Sequence, residues 1–466
     1  MRGRGEKGPP GRAFFPSTVF SADACLSSPD SAILFPERIE SGKEKTRPMQ
    51  PVPPVRPIEA IPVESEGNQL VVLRDPWRFI DGNMTVTLPA YLLMTLMNGE
   101  RTIPDIQAAF ESEFKGRVAA ADVEQFVREL DENGLFLNER FEAIRNEALE
   151  SFARSPIREA AHAGGAYAAD PEALRRELDG YYEAMRQGRE GAVLKVADAP
   201  INGRSLRGVV APHIDPRVGG PVAAAAFEAL RASGRKPDLF VIFGTAHQPG
   251  GGLFTLTDKD FRTPLGTVET DRELVEALNG RYSADLKRGE YLHKNEHSIE
   301  FQVIFLQHLF GPNHSFKILP VLVGSFHEYL DENVIPSSEP EFADFGRALR
   351  EAIQQCGRDA CMVAGADLSH IGRKFGDDED LSDELVQGSR VKDLEMLEHL
   401  RRGDREGFFR HLQVDGDKQK VCGLPPIYAM LDALEEDIPA VLLDYDLNIE
   451  EATQSFVSYA SLAFYS

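Results

Sequence analysis

Few folds accommodate the run Gly208-Val-Val-Ala-Pro-His-Ile-Asp-Pro-Arg-Val-Gly-Gly220. Its small and branched apolar residues, Gly208 to Ala211, read as a short buried strand that stops at Pro212, and His213 follows at once. A Gly-Gly pair and the Ala-rich stretch Ala223 to Leu230 then open a helix, expected over Pro221–Ala232. Such a strand-loop-helix unit presents an imidazole at the carboxyl end of a strand, where open α/β sheets place their ligands. Three later segments repeat the device: Val241-Ile-Phe-Gly-Thr-Ala-His247, Val363-Ala-Gly-Ala-Asp-Leu-Ser-His370 and Val421-Cys422-Gly423. Over about 300 residues strands and helices alternate, which predicts a mixed or parallel sheet covered on both faces.

Composition narrows the function classes. A chain of 466 residues calls for two or three domains, and a 42% apolar fraction suffices to pack them. The formal charge of −24 argues against nucleic acid and anionic membrane surfaces as partners, because both repel an acidic protein. Four cysteines (Cys25, Cys356, Cys361, Cys422) without a CxxC pair suggest neither a zinc knuckle nor a disulfide framework, and they fit a reducing compartment. No apolar run reaches the roughly eighteen residues of a spanning helix, and the basic N-terminus lacks the apolar core of a signal peptide. A soluble, cytoplasmic protein is expected.

Residues 1–56, rich in Gly, Pro, Ser and charge, read as a disordered extension, and a start at Met49 would remove nothing that reads as folded. From 57 to 141 a small domain is expected. Gln69–Leu73 and Met84–Leu88 read as strands around the turn Asp81-Gly82-Asn83, followed by helices near 89–97, 103–114 and 120–133. Leu135-Phe-Leu137 reads as a closing strand. The phrases Leu96-Met-Asn-Gly-Glu-Arg-Thr-Ile103 and Asp122-Val-Glu-Gln-Phe-Val-Arg-Glu-Leu-Asp-Glu-Asn-Gly-Leu135 resemble a PqqD-like winged-helix module. That resemblance implies binding of a leader peptide or docking of a partner enzyme, and a purely structural cap is the alternative. Residues 142–155 read as a charged helical linker, and 156–466 as the α/β domain.

Imidazole and thiolate suit first-row transition metals, and three protein ligands with open positions make a catalytic or substrate-binding site. His308, His314, His327, His399 and His411 lie in unremarkable surroundings and read as surface or satisfied histidines. His213, His247 and His370 each follow a buried-strand pattern. Cys422, alone, reads as a small buried hydrophobe. In Glu296-His-Ser-Ile-Glu300, His297 and Glu300 can share one helix face, with acids raising the imidazole's pKa or fixing its tautomer. The plainer reading is a helix start capped by Asn295 or Ser298, with acids in the first turn.

Taken in order, Ala211-Pro-His213, Gly244-Thr-Ala-His247, Glu296-His-Ser-Ile-Glu300, Ile318-Leu-Pro-Val-Leu-Val-Gly324, Ala366-Asp-Leu-Ser-His-Ile-Gly372 and Cys422-Gly423 resemble the motifs of the Memo family. The opening Arg158-Glu-Ala-Ala-His-Ala-Gly-Gly-Ala-Tyr167 is similar too, so the resemblance covers 156–466. It implies the fold of class III extradiol dioxygenases, the LigB type: a mixed sheet flanked by helices, here with a small N-terminal winged-helix domain. It further implies metal ligands His213, His247 and Cys422, with Cys standing where the dioxygenases have a carboxylate. His370 falls at their acid/base position, Asp367 orients it or a metal-bound water, and His297 lines the pocket. Iron(II) is favoured by the resemblance and copper by the soft sulfur. Three positions depart from the family pattern: Ile214-Asp215-Pro216 follows the first His, Gln248 follows His247, and Ala166 stands before Tyr167. Asp215 either adds a carboxylate near the metal or caps the next helix.

Two functions stay open. One is an iron-dependent, dioxygenase-like oxidoreductase acting on a small aromatic or catechol-like molecule, with His370 moving protons. The other is a metal-binding accessory protein of the AmmeMemoRadiSam system protein B type. It would act with radical S-adenosylmethionine enzymes through the N-terminal module, or as an adaptor for a peptide.

Overall fold

In a computed structural model of the chain, residues 50–65, 67–80, 82–188, 204–311, 314–434 and 437–466 are described. They divide into two compact units, one ending at Ser151 and one beginning at Phe152. Of the stretch expected to be disordered, residues 1–49 lie outside the described residues. The rest is packed: Val52 is buried in the first unit's core, and Arg56, 2% exposed, lies 2.9 Å from the Asp75 carboxylate. Its Pro-rich composition concealed an apolar anchor and a buried ion pair.

The first unit holds β1 (Glu59–Ser65), β2 (Asn68–Arg74) and β3 (Asn83–Thr87) in one antiparallel sheet of that order. Helices α1 (Leu88–Thr95), α2 (Ile103–Phe114) and α3 (Ala120–Glu132) follow. Val71, Leu73, Val86, Leu93, Ile106, Val123, Phe126 and Leu130 form its core. The sequence pattern left out β1, which carries Pro62. Proline is confined to sheet edges, and β1 is an edge. Leu135–Leu137 makes a single bridge, Phe136 to Val55, rather than a strand. The charged stretch after it is helical, α4 (Glu139–Arg154).

The second unit continues with β4 (Ile157–Arg158), α5 (Pro171–Gln187), β5 (Leu206–Ala211), α6 (Pro216–Ala232), β6 (Leu239–Thr245), β7 (Phe254–Leu256), β8 (Asp260–Thr263), β9 (Gly266–Val268) and α7 (Arg272–Asn279). Next come α8 (His297–Phe310), β10 (Lys317–Val323), α9 (His327–Asp331), α10 (Pro340–Cys356), β11 (Ala360–Gly365) and β12 (His370–Gly372). It ends with α11 (Asp383–Arg401), α12 (Arg405–Gln413), α13 (Leu424–Leu434), β13 (Ala440–Glu450) and β14 (Ser455–Tyr465).

The main sheet runs β12-β14-β5-β11-β6-β10-β7, with β13 also pairing β14. Its centre, β5, β11, β6 and β10, is parallel, and its flanks β14 and β7 are antiparallel. Every residue of β6 is buried, as a strand covered on both faces must be. The architecture of this unit is therefore a mixed α/β sheet flanked by helices, and the small unit has its own antiparallel sheet. Helix α6 begins five residues before the expected Pro221, because Asp215 caps it and accepts from the Arg217 N–H at 2.9 Å.

Candidate metal centre

Because β5, β6 and β11 run parallel, the loops that leave their carboxyl ends emerge at one edge of the sheet. His213, His247 and Asp367 each stand two residues beyond their strand. The start of α8 fits against the same edge because Gly244 and Gly365 have no side chain. A Cβ at Gly244 would run into Ser298 Oγ, and one at Gly365 into the Ser298 carbonyl. His297, the first residue of α8, thus meets the two strand-end histidines. Ring centroids lie 5.0 Å (His213–His247), 5.1 Å (His213–His297) and 4.8 Å (His247–His297) apart. One ligand nitrogen from each falls within 4.8 Å of the others. The His213 side chain is buried while those of His247 and His297 are each 32% exposed, so the cluster opens to solvent beside these two.

Acceptors set the tautomers. His213 Nδ1–H donates to the Gly365 carbonyl at 2.8 Å, which leaves Nε2 bare. His247 Nδ1 donates to the Glu296 carboxylate at 3.0 Å, and His297 Nδ1 lies 3.2 Å from the same carboxylate. Glu296 also caps α8, accepting from the Ser298 N–H at 2.9 Å. The cap is thus Glu296 rather than Asn295 or Ser298, and one carboxylate both starts the helix and accepts from His247.

Burial pushes His213 down to about 3, with the neighbouring His247 adding to it. Burial likewise holds His297 well below the ordinary histidine value, against the pull of Glu296. The expectation that flanking acids raise His297 fails because desolvation outweighs them. At His247 burial also opposes charging, but the Glu296 carboxylate wins and the pKa rises. Glu296 itself, despite burial, is held well below the usual carboxylate range by His247 and His297.

Cys422 is not at a strand end. It sits in the turn before α13, where Gly423 comes so close to the Asp367 carbonyl that no Cβ would fit. Its Sγ lies 3.2 Å from His213 Nε2 and 3.8 Å from the Asp367 carbonyl oxygen. Burial, then the Asp367 charge, push the thiol well above its usual value. Asp367 accepts from the His213 and Ile214 N–H groups at 2.9 and 3.1 Å, and burial lifts it to about 6. His370 donates Nδ1–H to the Leu368 carbonyl at 2.9 Å, and burial lowers it to about 4. Asp215 turns instead to the Arg217 guanidinium, with its Oδ1 2.9 Å from Arg217 Nε.

One polar knot escaped the sequence reading. Glu300, one turn after Glu296, pairs with Arg158 inside the protein, both side chains being fully buried. It also accepts from the Tyr167 hydroxyl and from the Ala161 and His162 N–H groups at 3.1 and 3.0 Å. The His162 ring is thereby set edge-on to His297 at 5.7 Å. The available signal was the pairing of an Arg and a Tyr around His162 with an acid on a largely apolar helix.

Residues 158–463 match the family of Memo-like proteins. The chain belongs to the Memo family. A MEMO1 family protein of Aquifex aeolicus is 30% identical over 396 residues, covering 84% of this chain and 96% of its own length. Similar proteins of Methanopyrus kandleri (31% over 286 residues, 60% of this chain and 87% of theirs) and Methanothermobacter thermautotrophicus (34% over 215 residues, 46% and 70%) carry the same family name. The Aquifex match is longer than the 158–463 region, so it extends into residues on its N-terminal side. Among the described residues no helix is long and apolar enough to cross a membrane.

Proposed function

We propose that the pocket binds one first-row transition-metal ion, iron(II) or copper, through His213 and His247, with His297 and Cys422 completing the donor set. The observation that carries this reading is the shared carboxylate. Glu296 accepts from Nδ1 of His247 and Gly365 from Nδ1 of His213, His297 Nδ1 lies 3.2 Å from the same Glu296 carboxylate, and one ligand nitrogen from each of the three rings falls within 4.8 Å of the others. Two nearby carboxylates, Glu296 and Asp367, supply negative charge, Asp367 Oδ2 lying 3.7 Å from His213 Nε2. The donor set of imidazoles and a thiol suits iron(II), and the sulfur, once deprotonated by a cation, suits copper(I).

The resemblance to extradiol dioxygenases makes an oxidoreductase the first reading. Bound iron would supply redox and Lewis-acid chemistry toward a small aromatic or catechol-like molecule. The chain's own part is to hold that molecule beside the open His247 face and to take a proton at His370 Nε2. That nitrogen is bare because Nδ1–H is committed to Leu368, and the ring is neutral at pH 7. Asp367 keeps the His213 backbone in place.

A second reading, an accessory protein working with a radical S-adenosylmethionine enzyme, is favoured by the small unit. It has its own core, and the Aquifex relative's match runs beyond the Memo region. On this reading the unit is a PqqD-like docking module.

Anaerobic titration with iron(II) and with copper(I) tests the first statement. Stoichiometric binding lost in both His213→Ala and His247→Ala is expected, with Cys422→Ser weakening copper(I) more than iron(II). Equal, weak binding by all four proteins would overturn it. Oxygen uptake with catechols separates the two readings: turnover that depends on His370 supports the enzyme, and metal binding without turnover supports the accessory role.

A further inference from the structure

A closed hydrogen-bond network lies behind the loop that carries Asp367 and His370. Ser369, between them, is fully buried, as are Ser458 on β14, Asp393 on α11 (1% exposed) and Tyr445 on β13 (4% exposed). Asp393 Oδ1 accepts from the Ser369 hydroxyl at 2.5 Å. Its Oδ2 accepts from the Ser458 hydroxyl at 2.6 Å and from the Tyr445 hydroxyl at 2.8 Å.

Donor directions are forced. The Ser369 N–H donates to Ser458 Oγ at 3.0 Å, and the Gln419 side-chain N–H donates to Ser369 Oγ at 3.0 Å. Each serine oxygen is therefore already an acceptor, and its single proton goes to Asp393. Tyr445 adds a third donor. Three hydroxyls thus converge on the Asp393 carboxyl, whose pKa is raised by burial against the pull of those three hydrogen bonds.

Gln419 links this network to the metal pocket. Its side chain holds Ser369, its carbonyl accepts the His370 N–H at 2.8 Å, and it stands three residues before Cys422. We infer that Asp393 is a positioning residue. By fixing the proton of Ser369, it leaves that oxygen free to anchor Gln419, and so locks the Cys422 turn onto the Asp367–His370 loop. Keeping a carboxyl in the interior without a basic side chain bonded to it is otherwise unfavourable. Asparagine would present N–H against O–H at one of the three sites, or at two if its nitrogen replaces Oδ2, and break the direction of the network.

The inference takes from the metal-site reading only that Cys422, Asp367 and His370 share one pocket. Its test therefore uses metal-free full-length protein. Alkylation of Cys422 and Cys356 is followed peptide by peptide in wild type, Asp393→Asn, Ser369→Ala and, as a control, Asp271→Ala. Asp271 is a buried helix cap paired with Arg358 and has no partner in the pocket. In Asp393→Asn and Ser369→Ala, Cys422 should react at least about fivefold faster with Cys356 unchanged, as expected of local opening. Asp271→Ala, even at equal loss of stability, should leave the Cys422 rate as in wild type. Equal Cys422 rates in the network variants and the control would overturn the inference. If Asp393→Asn does not fold, Ser369→Ala and Tyr445→Phe carry the same comparison. In a separate titration, both network variants should bind metal about 10–100-fold more weakly, as loss of outer support does. If wild type binds none, the metal reading fails while the alkylation result still decides this one.

Discussion

Glu296 and Glu300 stand one turn apart at the start of α8, both buried, and each gathers several donors, yet they do different work. Glu296 faces the strand ends, accepts from His247 and lies 3.2 Å from His297 Nδ1. Glu300 faces the opening segment and collects Arg158, Tyr167 and two backbone N–H groups. The first carboxylate meets groups whose bare nitrogens remain available to a ligand. The second meets a guanidinium, which has no lone pair to offer, so its network reaches the site only through the Glu296 carbonyl, which accepts from Arg158 at 2.8 Å, and through the His162 ring set against His297. Chemistry at a buried carboxylate is thus decided by what the partner has left over, not by the acid or its burial.

The contrast can be broken by substitution. Arg158→Ala should be the most damaging change, destabilising the second unit by about 3–5 kcal/mol in denaturant unfolding because Glu300 is left buried and unpaired. Metal stoichiometry of the folded fraction should be unchanged. Glu296→Gln should do the opposite: metal affinity falls about 10–100-fold, with a stability loss of only about 1–2 kcal/mol. If Arg158→Ala removes metal and Glu296→Gln does not, the two roles have been assigned the wrong way round.

Acid sharpens the comparison. Glu300 is held low by Arg158, which overcomes the effect of burial. A depressed folded pKa contributes stability above the unfolded value of about 4.3, and that stability is lost as pH falls through the folded value. His293, whose carbonyl accepts from Arg158 Nε at 2.9 Å, is lowered by burial to about 3. The unfolded chain takes up this proton first, so stability should begin to fall below about pH 6.5, by at most about 1.4 kcal/mol per unit from this group. His293→Gln should flatten that slope between about pH 6.5 and 5 in unfolding experiments, again given the ordinary histidine value. An unchanged slope would show that His293 is already charged in the fold. The smallest effect belongs to Asp215→Asn, which keeps a cap and should change stability by less than about 0.5 kcal/mol and metal binding not at all.

The strands before His213 and His247 were legible because buried parallel strands are near-continuous apolar runs and a proline or glycine marks where they stop. Membership of the family was legible from the order of short motifs. The position of Cys422 was not, since Val421-Cys422-Gly423 mimics a strand end but is a turn shaped by the Gly423–Asp367 contact. Nor was the sharing of Glu296, because His247 lies 49 residues earlier and only the parallel pairing of β6 with β10 and β11 brings it to the start of α8. Asp215 illustrates the opposite case. Its two readings were both open in the sequence, and the neighbouring Arg217 decides for the cap.

Metal analysis of anaerobically purified protein, beside His213→Ala and Cys422→Ala, tests the central claim most directly. The account predicts about one iron or copper per wild-type chain, as a single mononuclear site holds, and its loss in both variants. Wild-type protein without stoichiometric metal in any preparation, or variants that keep it, would contradict the metal centre and leave a binding cleft in its place.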